Sequence, residues 1–144
     1  SILTTEPRAG AFHHTVGQMG DSRLFSVEAT GTGCSVMPLR EVFAHANHLI
    51  HPQLDAVEQV ITDSSRSRQL RLNAWLETQS HLDGAAALGI LSDQHDPALP
   101  IYRLSPQDPD EENTLATAVF TLSTSDIKWQ IFTHDRQKPA LESH

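Results

Sequence analysis

The sequence predicts an α+β fold in which an antiparallel sheet is covered by helices, within a single domain spanning residues 1–144. Three observations carry this expectation. Apolar and polar residues alternate in the first and last thirds of the chain, and apolar residues recur at helical spacing in the middle. The alternating runs are joined by turns too short for the crossovers that parallel strands need.

The first run is Ala11–Val16, closed by Gly17. From Arg23 to Ala29 the alternation is regular: Phe25, Val27 and Ala29 face one way, and Leu24, Ser26 and Glu28 the other, as in a half-buried strand. Gly20-Asp21 and Gly31-Thr32-Gly33 supply the turns. Cys34–Met37 and Val42–Asn47 are expected to continue the meander on either side of Pro38-Leu39-Arg40. In the middle, Asp63-Ser64-Ser65 offers N-cap residues for a helix whose apolar stripe is Leu72, Trp75 and Leu76, widened by Leu70. His81–Leu91, rich in Ala and Leu, reads as a second, shorter helix ended by Asp96-Pro97 and Pro100. Pro106–Asn113 reads as an acidic surface loop. Leu115–Leu122 and Ile127–Phe132 then form a hairpin about Ser123-Thr124-Ser125-Asp126, with Ile127, Trp129 and Ile131 on one face. The tail after His134 is expected to be poorly ordered.

Composition narrows the function. Net charge is −8 and the Lys and Arg residues are scattered apart from Arg66, Arg68 and Arg71, so neither nucleic acid nor an anionic membrane is expected as a partner. No run approaches the ~18 apolar residues of a membrane span. The start, Ser1-Ile2-Leu3-Thr4-Thr5-Glu6, lacks the basic and apolar regions of a signal peptide. With Cys34 as the single cysteine no internal disulfide can form, and a cytoplasmic setting is expected. The hydrophobic share, 38%, is low enough to suggest either a small core or a piece of a larger one.

Candidate chemistry concentrates in His45-Ala46-Asn47-His48-Leu49-Ile50-His51. Three imidazoles could bind zinc, but a strand would send His45 and His48 to opposite faces, and no acid or cysteine nearby completes a ligand set, so no metal is expected there. In His13-His14 the two rings are sent to opposite faces, one of them into the core against a hydrogen-bond partner. Asn47 is the leading candidate. Its primary amide can donate to a developing oxyanion, and the same residue could equally end a strand and turn the chain. Gly33-Cys34 and Ser1 are each compatible with a nucleophile, and each is also compatible with a plain structural role.

Several segments together resemble one family. Arg23-Leu24-Phe25-Ser26-Val27-Glu28-Ala29-Thr30 is similar to a strand ending in "(V/I)EATP", and Ala44-His45-Ala46-Asn47-His48 to a following "VHTNH". Ser64–Leu72 is similar to a Ser-rich start of an Arg-bearing helix, Leu82–Asp93 to a short helix before an "ICR" segment, and Ile101-Tyr102-Arg103 stands in that segment's place. Order and spacing agree across nearly the whole chain with the second half of penicillin acyltransferase-type proteins, the isopenicillin N acyltransferases and their bacterial relatives. Ala46 and Tyr102 depart from the pattern.

The resemblance implies an N-terminal nucleophile hydrolase, an αββα sandwich whose cysteine, freed by self-cleavage, forms an acyl-enzyme. It implies that this chain is the C-terminal portion, without the nucleophile. Asn47 matches the oxyanion asparagine and Arg103 the late arginine, with His45 and His48 beside the substrate. The expected substrate is a small acyl amide or thioester, with no cofactor. The expected protein partner is the N-terminal portion of the same fold or a second copy. The competing expectation is a non-catalytic binding or assembly domain that keeps the sheet.

Overall fold

The computed structural model describes residues 10–79, 82–105 and 111–143. Ser1, His81 and residues 106–110 of the acidic loop, all raised above, lie outside these ranges. Instead of one sheet there are two, each three-stranded and antiparallel, with two α-helices between them in the chain.

The first sheet joins β1 (Phe12–Gly17), β2 (Leu24–Ala29) and β3 (Cys34–Leu39) in sequence order. Its register sets His13 opposite Glu28, and Glu28 opposite Ser35. One face therefore carries His13, Ser26, Glu28 and Ser35, and the other Val27, Ala29 and Val36. Period two places the side chains as expected, but the polar face of β2 is not a solvent face. Ser26 and Glu28 are completely buried, as is Ala29 on the reverse side. Thr30 closes the hairpin between β2 and β3: its hydroxyl accepts from the N–H of Gly33 at 3.0 Å and donates to the Gly33 carbonyl.

The expected strand at Val42–Asn47 is absent, which corrects the sequence reading. The segment is irregular because side chains replace the neighbouring strand as its hydrogen-bond partners. The Ala46 N–H donates to Gln69 Oε1 at 2.7 Å, Gln69 Nε2 donates to the Ala44 carbonyl, and the Asn47 N–H donates to Ser65 Oγ. These partners all sit on α1 (Asp63–Thr78). Its N-cap is Thr62, one residue before the expected group, with its hydroxyl accepting from the Ser65 N–H. The buried face of α1 is Ser64, Ser65, Gln69 and Leu72, more polar than the expected stripe, and Leu70 is exposed. The helix is thus built to hold a loop as much as to fill a core.

The second helix, α2 (Gly84–Ile90), is shorter than expected and is capped by Asp83, which accepts from the Ala86 N–H at 2.8 Å. It lies against Val119 of β4. The second sheet orders β4 (Thr117–Leu122), β5 (Ile127–Phe132) and β6 (Leu141–Glu142), with the expected hairpin at Ser123–Asp126. The tail is therefore not loose. The Ala140 N–H donates to the Ile131 carbonyl, and the Ser143 N–H to that of Trp129.

Arg136, also in that tail, ties several parts together. Its guanidinium lies 4.5 Å from the centre of the Tyr102 ring and donates to Ser92 Oγ, Thr117 Oγ1 and the Thr133 carbonyl. Among the described residues no helix is long and apolar enough to cross a membrane.

Candidate functional site

The polar face of the first sheet and the loop from Val42 to His51 enclose a cluster whose largest fully buried side chains are His51 and Glu28. A buried carboxylate is costly unless its oxygens are hydrogen-bonded. Glu28 Oε1 accepts from the Ile50 N–H at 2.7 Å and meets His45 Nε2 at 2.6 Å, and Oε2 accepts from the His51 N–H at 3.0 Å. Burial alone would raise the Glu28 carboxyl. The Ile50 N–H, the His45 ring and the His51 N–H outweigh it and hold the group below its ordinary value.

With Glu28 ionised, His45 Nε2 is the donor. On the other side of the ring, Nδ1 lies 2.6 Å from the Ala46 carbonyl, which can only accept. The hydrogen bonds thus call for a proton on each ring nitrogen. The ring is stacked on His13, with centroids 3.8 Å apart and planes 7° from parallel. Burial first, and then the charge of His45, push His13 down to about 4.

A second chain of bonds runs under this pair. Ser35 donates to Gln53 Oε1, so its oxygen accepts from His51 Nδ1 at 2.9 Å. With one proton on the ring, His51 Nε2 then accepts from Ser26 Oγ at 2.7 Å, and Ser26 in turn accepts from His13 Nε2 at 2.9 Å. From His13 to Gln53 the series runs in one direction, and Ser26, His51 and Ser35 each donate once and accept once. Both nitrogens of His45 and both of His51 are engaged within the protein, and among the described residues no group of His, Cys, Asp and Glu is placed to hold a metal ion.

Asn47 lies at the surface end of the loop and lines an open cleft of about 440 Å³ with His48, Glu58, Gln59, Ser65 and Arg68. Arg68 Nη1 donates to Asn47 Oδ1 at 3.0 Å. A guanidinium has no acceptor, so this bond fixes which end of the amide is oxygen and leaves the amide N–H groups directed away from Arg68. His48 Nδ1 is 2.8 Å from Ser65 Oγ. Burial, followed by the positive neighbours His45 and Arg66, holds His48 below its ordinary value.

The four residues singled out from the sequence are thus divided. Asn47 and His48 share the cleft. His45 was expected at the substrate, but its side chain is only 3% exposed and both ring nitrogens are committed to Glu28 and Ala46. Arg103 is buried, its N–H donates to the Thr114 hydroxyl and its carbonyl accepts from the Thr114 N–H, and it is not among the residues that line the Asn47 cleft. Cys34 begins β3 opposite Ala29 and does not line the cleft either.

Glu28, Gln69 and Arg68 were missed as members of the site, and His51 was weighed only as a metal ligand. The signal for the first was available, since His13, Glu28 and Ser35 share one face once neighbouring strands are registered across their short turns. The others come from outside that sheet, and no local pattern announces them. The sequence matches, over residues 1–137, the family described as Acyl-coenzyme A:6-aminopenicillanic acid acyl-transferase. No curated protein and no solved structure matches it.

Proposed function

The chain belongs to the acyl-coenzyme A:6-aminopenicillanic acid acyl-transferase family, and from that premise we propose that it supplies the oxyanion-stabilising wall of an acyl-transferring N-terminal nucleophile hydrolase. The nucleophile in this reading is a cysteine outside these residues. Its thiolate attacks the carbonyl carbon of a thioester or amide, the carbonyl π electrons move to oxygen, and the tetrahedral oxyanion forms. Collapse expels the thiol or amine and leaves an acyl-enzyme. Water or an amine then attacks the acyl carbon and releases the cysteine sulfur.

The observation that carries the proposal is the orientation of Asn47. Its oxygen is held by Arg68 at the edge of a cleft, so its N–H groups are the end available to a substrate. A donor fixed before the reaction stabilises the charge as it develops and needs no reorganisation. His48 borders the same cleft and contributes a wall that its lowered pKa keeps neutral near pH 7. His45 serves by holding the loop. The exposed apolar side chains of β4, β5 and β6, Phe120, Ile127 and Leu141 among them, support reading the chain as one part of an αββα sandwich.

The test is to incubate the full-length protein with an activated acyl thioester and look for a covalent acyl adduct by mass spectrometry. The proposal predicts an adduct on a cysteine other than Cys34, retained in Cys34→Ala. An adduct that disappears in Cys34→Ala would contradict it.

A further inference from the structure

The Ala46–Asn47 peptide unit is pinned at both ends. Its carbonyl oxygen is 2.6 Å from His45 Nδ1, and its N–H donates to Ser65 Oγ at 3.1 Å. The first of these contacts leads back to one buried group, because His45 Nε2 is 2.6 Å from Glu28 Oε1. The same carboxylate accepts from the N–H groups of Ile50 and His51, just beyond Asn47 in the chain. A single carboxylate on β2 thus grips the loop before and after Asn47 without touching Asn47 itself.

We propose that Glu28 is a positioning residue for Asn47: through His45 and the Ala46 carbonyl, its carboxylate fixes the peptide plane from which the Asn47 amide is presented to the cleft. This rests on reading Asn47 as the oxyanion donor. The physical reason is geometric. Rotating the Ala46–Asn47 plane swings the Asn47 Cα–Cβ direction, and a donor displaced by about 1 Å can cost about 10²-fold in rate. Arg68 fixes the side-chain amide from above, but it cannot restore a backbone that has turned beneath it. A carboxylate suits the task because it accepts from several donors at once, and full burial shields those bonds from water.

Two variants separate this role from plain support of the fold. Glu28→Gln turns one carboxylate oxygen into a donor that faces another donor. His45→Gln is milder: its amide can still reach Glu28, and it removes only the donor to the Ala46 carbonyl. Each is made in the full-length enzyme, alone and together with Asn47→Ala, and kcat and KM are measured with an acyl thioester. Each single variant is expected to lower kcat by about 10–100-fold with KM within about threefold. In the Asn47→Ala background the same substitutions should change kcat by less than about threefold, because the residue they position is already gone.

Equal fold-losses in both backgrounds would overturn the proposal, and so would a His45→Gln enzyme with wild-type kcat. If Glu28→Gln fails to fold, His45→Gln decides. If Asn47→Ala alone leaves kcat intact, the oxyanion reading itself falls, a result distinct from the additive one.

Discussion

Arg68 holds Asn47 by the oxygen of its side-chain amide, with Nη1 donating to Oδ1 at 3.0 Å. The bond reaches from the second turn of α1 to a loop 21 residues earlier in the chain, and it fixes the orientation of the amide at the wall of a cleft that both residues line. Replacing Arg68 by Ala removes the lock and lets the amide rotate between two orientations. We predict a fall in kcat of about tenfold, short of the ~10²–10³ expected for losing the donor altogether. Stability should change by no more than about 1 kcal/mol, since the contact is exposed. Kinetics and thermal melting on the same variant check both parts.

The stacked pair His13 and His45 makes a pH dependence. His13 is pushed down to about 4 in the folded chain from 6.5, so between those values the unfolded chain holds a proton that the folded chain lacks. Stability therefore falls as pH drops from about 6.5 toward about 4, and is complete above that window. Glu28, held below its ordinary value, extends the loss at still lower pH, when its carboxylate is protonated. His13→Gln can keep the donor to Ser26 without the titration. The variant should show a shallower decline in melting temperature between pH 7 and 5 than the parent; identical slopes would refute the assignment to His13.

Arg136 should be a stability residue with no part in turnover. Its guanidinium joins Ser92, Thr117 and Thr133 while lying over the Tyr102 ring. Truncation to Ala leaves those acceptors part-buried with fewer donors, and a loss of about 2–4 kcal/mol is expected. Chemical denaturation measures it, and kcat per folded enzyme should be unchanged.

On the second sheet, Phe120 stands opposite Trp129, Leu122 opposite Ile127, and Ile131 opposite both Ala118 and Leu141, all on one face. Phe120 is 62% exposed and Leu141 61%. An apolar sheet face this open seeks a cover. The 144-residue chain on its own should self-associate, and Phe120→Lys with Ile127→Lys should weaken the association. Sedimentation at several concentrations tests this. A strictly monomeric parent chain would contradict it.

The hairpins and both helices were legible because each is written locally, in period-two or Ala- and Leu-rich segments between short turns. The Val42–Asn47 segment was not. Val42-Phe43-Ala44 looks like a strand, and only the distant side chains of Gln69 and Ser65 explain why the segment's backbone forms no ladder. Leu141–Glu142 was missed for a related reason, since a two-residue strand carries no periodicity and exists only because β5 offers it an edge. Asn47 was picked out by its chemistry and by the resemblance of its motif. Its orientation rests on an arginine that reads, in sequence, as one of three cations on a helix. Glu28 lay in plain view at an alternating position of β2, but alternation says which face a residue takes and nothing about what covers that face.

The most direct test of the central claim is Asn47→Ala in the full-length enzyme, with kcat, KM and melting temperature measured on one preparation. As an oxyanion donor, Asn47 should cost about 10²–10³ in kcat when removed, or roughly 2.7–4 kcal/mol of transition-state stabilisation. KM should stay near its parent value, because the bond strengthens only as charge develops on the carbonyl oxygen. The fold should hold, since the backbone bond from the Asn47 N–H to Ser65 remains available to alanine. A less stable enzyme with unchanged kcat would contradict the account, reducing Asn47 to a residue that shapes its loop.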